Sequence, residues 1–235
     1  MSIDATTMAD FYATRHGVMA ARQIRARLGV LWPDATGLDV LGLGYAAPYV
    51  RLWREQAARC VVITPAQMGA ARWPASRPNA SAAAEEDCLP LADVSIDRLL
   101  LIHGLEHAES ARRMLREAWR VLRPEGRMIV VVPNRASLWA YLERTPFGHG
   151  QPYSAAQLGR LLAGSLFRVE RRDVALLIPP LGFGKDLSTA DLLERLGRRA
   201  MPQLGGVVVA EAVKDVAGVI PLMQGRRRLV LARSG

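Results

Sequence analysis

The chain has 235 residues, half of them hydrophobic, which suits one large α/β domain with a sizeable core. No apolar run approaches the ~20 residues that span a bilayer. The start, MSIDATTMADFYATRHG, lacks the basic-then-apolar order of a secretion signal, and Cys60 and Cys88 are too few for a disulfide framework and have no CxxC spacing for zinc, so a cytoplasmic protein with two free thiols is expected.

The net charge of +9 is almost wholly arginine, since Lys185 and Lys214 are the only lysines. Such a field attracts anions, nucleic acid or an anionic surface. The arginines are spread over several predicted helices rather than stacked with aromatics on one face. Nucleic acid is therefore a disfavoured partner, though charge alone does not exclude it.

Apolar runs alternate with helical patterns along the chain, the mark of parallel βαβ units. Residues 8–29 read as a helix carrying Arg15, Arg22, Arg25 and Arg27. LDVLGL at 38–43 reads as a short buried strand, 46–58 as a helix, and CVVIT at 60–64 as a second strand closed by Pro65. The segment 72–80 is loop, and 80–84 a weak third strand. DRLLLIH at 97–103 is a continuous apolar run suited to a buried parallel strand. Over 109–122, Met114, Leu115, Ala118, Val121 and Leu122 share one helix face, with arginines on much of the rest. Arg123-Pro124-Glu125-Gly126 turns the chain into a fifth strand, 127–133. Helices are predicted at 135–144, 154–164 and 186–200, and strands at 169–178 and 206–214, the last two forming an antiparallel hairpin at the sheet edge. The predicted organisation is an N-terminal helical segment (1–34), a main domain (35–215) and a basic tail (216–235).

The stretch 88–134, CLPLADVSIDRLLLIHGLEHAESARRMLREAWRVLRPEGRMIVVVPN, carries the most specific signal. Leu89-Pro90-Leu91, Asp97 before the fourth strand, Leu105-Glu106-His107 after it, and the Arg-Val-Leu-Arg-Pro-Glu-Gly turn resemble, in that order, the middle of class I S-adenosylmethionine-dependent methyltransferases that act on small molecules (methyltransferase type 11-like). With the glycine turn at 42–44 and the late hairpin, the resemblance covers about residues 35–215. It implies a Rossmann-like, seven-stranded and mostly parallel sheet with a C-terminal antiparallel hairpin. It also implies S-adenosylmethionine bound outside the carboxyl ends of the first strands, where open α/β sheets generally take their ligands.

Carried onto this sequence, the resemblance puts Gly42, Gly44, Tyr45 and Ala46 against the amino-acid portion of the cofactor, in a turn where glycine allows close backbone approach. Two acidic positions of the family pattern are changed. Val40 stands two before the first glycine, and Thr64 ends the second strand where a carboxylate normally accepts from both ribose hydroxyls; Ala46 replaces a third glycine. Gln67 is a further candidate for the ribose. Glu85 maps to the acceptor for the adenine amino group, with a backbone amide of Cys88 or Leu89 for the adenine ring. His103 faces the cofactor crevice. His103, Glu106 and His107 lack an evident further ligand for a metal, so none is expected.

The loop Phe147–Ser154 resembles the family segment that covers the substrate. His149 is the candidate general base, because imidazole titrates near neutral pH, and Tyr153 a candidate for orienting the acceptor. Ser154 reads as an N-cap. The expected activity is methyl transfer to a small-molecule acceptor. The weakened cofactor motif leaves a catalytically inactive binding or assembly module with a protein partner as the alternative, and the positive charge leaves an RNA methyltransferase as a second one.

Overall fold

Residues along the central strands alternate between two faces that are both buried, and this double burial dictates a sheet sandwiched between helices. The computed structural model describes residues 5–69, 71–177 and 202–216. Its elements are α1 (Ala5–Ala13), α2 (Arg15–Leu31), β1 (Asp39–Gly44), α3 (Ala47–Val50), β2 (Arg59–Pro65), β3 (Ser81–Ala84), β4 (Ile96–Ile102), α4 (Ala111–Val121), β5 (Leu122–Pro133), α5 (Ala155–Ala163), β6 (Phe167–Ala175) and β7 (Val207–Lys214). The strand order is β3-β2-β1-β4-β5-β7-β6. Strands β1 to β5 run parallel, and β7 lies antiparallel to both β5 and β6. This is the expected seven-stranded, Rossmann-like sheet with its antiparallel hairpin.

Val40, Leu100 and Ile129 point to the face covered by Ile24 and Leu28 of α2 and by Trp53. Leu41, Leu99 and Met128 point the other way, onto Met114 and Leu115 of α4 and Leu158 and Leu162 of α5. Each fully buried Leu or Ile contributes about 1.5–3 kcal/mol relative to exposure. The amino ends of the strands are tied by charge. Arg123, near the start of β5, donates to Asp39 at 2.9 Å and also to Asp97. Burial pushes the Asp97 carboxyl up, but the hydrogen bonds from Arg123 and the Asp39 amide hold it below its ordinary value.

Several boundaries differ from the sequence reading. The helix expected at 8–29 is two helices, because Thr14 Oγ1 accepts from Gly17 N and starts a new helix. A side chain at Gly17 would collide with Phe11 O at 2.0 Å, so the two helices meet as only glycine allows. The helix expected at 46–58 is a single turn, α3, continued by non-helical turns that end as Trp53 Nε1 donates to Trp32 O. The helix expected at 135–144 is replaced by short 3-10 turns at Leu138–Tyr141 and Pro146–Gly148. There Asn134 draws the chain inward, accepting from Ala136 N and donating to Gln203 O and Gly205 O. Strand β6 begins two residues earlier than expected. The predicted helix at 186–200 and the tail beyond 216 lie outside the described residues.

Helix α5 opens with a reciprocal cap, in which Ser154 Oγ accepts from Gln157 N and Gln157 Oε1 accepts from Ser154 N. Ser154→Ala is expected to lower stability by about 1 kcal/mol. A urea midpoint shift corresponding to less than about a third of that would contradict the role of this cap.

Candidate functional site

The carboxyl ends of β1, β2, β4 and β5 lie along one edge of the sheet, and the predicted site residues divide there: Gly44, Tyr45 and Thr64 border one cavity, Tyr153 borders another, and Gly42, Ala46, Glu85, Cys88, Leu89, His103 and His149 line neither. Gly44 ends β1 with φ +88°, a conformation that disfavours any side chain. A Cβ on it would lie 2.3 Å from Ile102 O, so glycine is required by the abutment of β1 on β4. Gly42 is required for a different reason: a Cβ there would sit 2.7 Å from the Ala46 Cβ and 2.8 Å from Val50 Cγ1. Gly42 and the buried Ala46 thus let α3 press onto β1, and Gly44 and Tyr45 remain as the part of this turn that opens to a hollow.

That hollow is a cavity of about 340 Å³ bounded by Gly44, Tyr45, Ala47, Arg51, Thr64 and Trp73, among others. Thr64 brings its hydroxyl to the wall at the end of β2. Val40 is wholly buried in the core. Asp39, the neighbouring acid, is at the opposite end of β1, paired with Arg59 and Arg123.

The loop after β3 holds the next group. Glu85 is exposed and its carboxylate has no partner among the described residues. Glu86 is buried, accepting from Ser110 N at 3.0 Å and from Gln67 Nε2 at 3.3 Å. The amides named as adenine donors are engaged within the chain. Cys88 N donates to Glu85 O, and Leu89 N donates to Glu117 Oε2 at 2.9 Å. Arg120 completes this anchor, donating to Leu89 O, Leu91 O and Glu117. The Leu-Pro-Leu segment is therefore fixed by α4. Of the two cysteines, both free, Cys88 is exposed, while burial pushes the Cys60 thiol up to about 11.

His103 is almost fully buried at the end of β4, with φ +51°. A hydrogen-bonded chain runs through it. Tyr49 donates to Tyr12 Oη at 2.6 Å, Tyr12 Oη lies 2.6 Å from His103 Nε2, and His103 Nδ1 lies 3.2 Å from Glu106 Oε1. With the Tyr12 hydroxyl used as donor, Nε2 accepts and Nδ1–H donates to the carboxylate. Burial, then the neighbouring phenols, pushes Tyr12 far up, and burial does the same to Tyr49, so both phenols stay protonated. Tyr12 also stacks on Tyr45, with ring centroids 5.7 Å apart and planes 10° apart. Helix α1 thereby covers the ends of β1 and β4. The sequence reading missed Tyr12 and Tyr49; nothing in their spacing distinguishes them from ordinary helix-face aromatics.

The second half of the site is the loop before α5. Gly150, at φ +74°, leaves room for Glu106 O, which a Cβ would meet at 2.4 Å, and Gln151 N donates to that same oxygen. Tyr153 N donates to Pro133 O at 2.9 Å, so the loop is fastened to the ends of both β4 and β5. Tyr153 is mostly buried, and burial followed by the Glu106 charge raises its hydroxyl above the ordinary value. It lines a second hollow, of about 320 Å³, with Ser110, Arg112, Gln151 and Gln157. His149 Nε2 donates to Glu143 O at 2.5 Å, which leaves Nδ1 as its accepting atom. His107 sits beside this loop, and burial lowers its imidazole below the ordinary value, keeping it neutral at pH 7.

Residues 38–130 match the model of a family described as "Methyltransferase domain". A Mycolicibacterium smegmatis protein, named as a probable S-adenosylmethionine-dependent methyltransferase, is 36% identical over 84 residues, which is 35% of this chain. The matched stretch spans 32% of that relative's length. Among solved structures, a chain of the Haloferax volcanii complex containing the Trm112 methyltransferase activator superposes with a TM-score of 0.63 at 18% identity, covering 91% of this chain and 100% of that one. An S-adenosylmethionine-dependent methyltransferase from Mesorhizobium loti gives 0.59 at 16% identity, covering 80% and 96%. At these identities the structural likeness concerns the fold. No described helix is long and apolar enough to cross a membrane.

Proposed function

We propose that this chain is a class I S-adenosylmethionine-dependent methyltransferase and that it transfers the methyl group to a small-molecule acceptor, a reading supported by the family match over residues 38–130 and by the partial match to the Mycolicibacterium smegmatis relative. The observation that carries the proposal is the cavity beside Gly44, Tyr45 and Thr64, at the carboxyl ends of β1 and β2, where a sheet of this topology takes a nucleoside ligand. The residues fit the cofactor in part. Gly44 and Thr64 line the cavity, where the Thr64 hydroxyl would serve the ribose, and the exposed Glu85 carboxylate, outside that lining, would serve the adenine amino group. Among the described lining residues there is no carboxylate for the ribose hydroxyls.

When bound, the cofactor supplies an electrophilic methyl group on a sulfonium. The chain's own contribution is alignment and exclusion of water. Tyr12 of α1, stacked on Tyr45 of the turn after β1, closes the crevice on one side, and the loop 147–153 closes it from the β5 side. Tyr153 orients the acceptor, and His149 Nδ1 accepts its proton. The two free thiols agree with a reducing cytoplasm.

Titration calorimetry of the full chain with S-adenosylmethionine and S-adenosylhomocysteine tests this reading, together with Glu85→Ala. Binding in the micromolar range, about −8 kcal/mol, weakened roughly tenfold or more in the variant, is the expected result. Label from a methyl-tritiated cofactor should then enter the small-molecule fraction of a cell extract. Label in RNA would favour the nucleic-acid reading. No binding by the folded chain would favour a non-catalytic module.

A further inference from the structure

Parallel neighbours need a crossover connection, usually a helix. Between β2 and β3 the described chain instead has one 3-10 turn, Ala66–Met68, and an irregular segment through Trp73. The α3-side face at the end of β2 is thus left with the cavity of about 340 Å³, which lies within the size range of small-molecule sites. Its lining has a consistent chemistry. Ala47, Pro48 and Val62 are apolar, Tyr45 and Trp73 are aromatic, Thr64 is a neutral hydroxyl, and Arg51 and Arg72 are cationic. No carboxylate is among the described lining residues. A further guanidinium, that of Arg54, lies 5.5 Å from the centre of the Trp73 ring.

These cations are poorly neutralised. Arg51 makes no ion pair or hydrogen bond through its side chain among the described residues, and its charge helps to lower the guanidinium pKa of Arg25, after the larger effect of burial. Arg72 spends one donor on Arg77 O at 2.9 Å and retains the others. Asp10 of α1 is the acid whose charge is felt at the cavity, through Tyr45.

We infer that this cavity is a binding site for a phosphorylated nucleoside, whose phosphate is held by Arg51 and Arg72 and whose base is received by the wall of Trp73 and Tyr45. An acid at the end of the second strand selects free ribose hydroxyls, whereas a neutral residue with arginine nearby accommodates a ribose phosphate. Thr64 with Arg51 and Arg72 is the second arrangement. Planar guanidinium groups suit phosphate oxygens in bidentate pairs, and here they do so at an aromatic wall. The inference does not depend on methyl transfer. The ligand shares Gly44, Tyr45 and Thr64 with the proposed cofactor site, so it competes with S-adenosylmethionine.

The test is calorimetric titration of the full chain with adenosine 2′,5′-bisphosphate and, separately, with adenosine. The bisphosphate should bind at least about tenfold more tightly than adenosine, and its affinity should fall with added salt. Arg51→Ala and Arg72→Ala should each weaken the bisphosphate about tenfold while leaving adenosine unchanged. Arg112→Ala, in the other hollow, should change neither. Circular dichroism melts report whether each variant is folded. Equal binding of the two ligands, no bisphosphate binding, or bisphosphate binding indifferent to both arginines would overturn the inference. S-adenosylmethionine binding in the same experiments is read independently. If the cofactor binds and the bisphosphate does not, this inference fails and the methyl-transfer proposal stands; the reverse outcome removes that proposal and keeps this one.

Discussion

Glu211→Ala should destabilise the protein by about 3–5 kcal/mol, the cost of removing one partner from a buried ionic cluster. Glu211 is fully buried in the middle of β7. Its Oε1 accepts from Trp32 Nε1 at 2.9 Å and from Arg127 at 3.2 Å, and its Oε2 accepts from Arg171. Without the carboxylate, an indole N–H and two guanidiniums lose their acceptor at once. Arg127 retains Glu170 at 2.8 Å and Arg171 retains Leu31 O, so the loss is not that of two bare charges. Glu211→Gln should cost less, since it keeps an acceptor oxygen. Burial alone would raise this carboxyl, but the hydrogen bonds from Arg171, Trp32 and Arg127 bring it below the ordinary glutamate value. A depressed folded-state pKa contributes stability that is fully present above the unfolded value, about 4.3. That contribution is lost as pH falls through the folded value. Urea unfolding at pH 7 and at pH 3.5 should therefore show a smaller difference between wild type and Glu211→Gln at the lower pH. A loss below about 1 kcal/mol for Glu211→Ala at pH 7 would mean that the cluster is solvated and carries little.

That cluster also marks a limit of sequence reading. The run GVVVAEAVK identifies a strand because its apolar residues are continuous, but a single acid inside it does not reveal its partners. They come from the end of α2 and from β5 and β6, brought together only by the strand order. The parts that were legible are those with local causes. The apolar runs of β1, β4 and β5 announce burial on both faces, and Ser154 with Gln157 announces a helix start. The glycine turn falls where expected, whereas the expected turn at Arg123–Gly126 is taken into β5, which starts at Leu122 with a register shift against β4.

What was not legible has long-range causes. The segment 46–58 has helix-forming residues, yet it is drawn into turns by Trp53 reaching Trp32 O. Gly42 and Ala46 serve the packing of α3 as much as any ligand. The acids Asp39 and Asp97 sit at the amino ends of their strands, held by Arg123, far along the strands from the crevice. Tyr12 completes the site from more than 90 residues before His103, and the arginines around Trp73 come from two separate loops.

The sharpest functional expectation concerns Thr64. Thr64→Asp restores a carboxylate at the end of β2, where a ribose would present two hydroxyls. Each hydrogen bond to a charged group is worth about 1.5–3 kcal/mol, so S-adenosylmethionine should bind at least about tenfold more tightly. The same carboxylate would stand in the cavity with Arg51 and Arg72 and repel a phosphate, so a phosphorylated nucleoside should bind at least about tenfold more weakly, reversing the preference of the wild type. Position 64 is only 8% exposed, and a poorly solvated carboxylate would by itself lower the stability of the ligand-free protein. The two arginines limit that cost, which a thermal melt without ligand would measure. Thr64→Asn separates the effects, because it adds an acceptor without charge. It should improve cofactor binding less than Asp and leave phosphate binding nearly unchanged. Opposite shifts of the two ligands with Asp alone would place both at the end of β2. Unchanged cofactor affinity with Asp would mean that the ribose does not meet this position, and the open hydroxyl of Thr64 would then belong to the phosphorylated ligand.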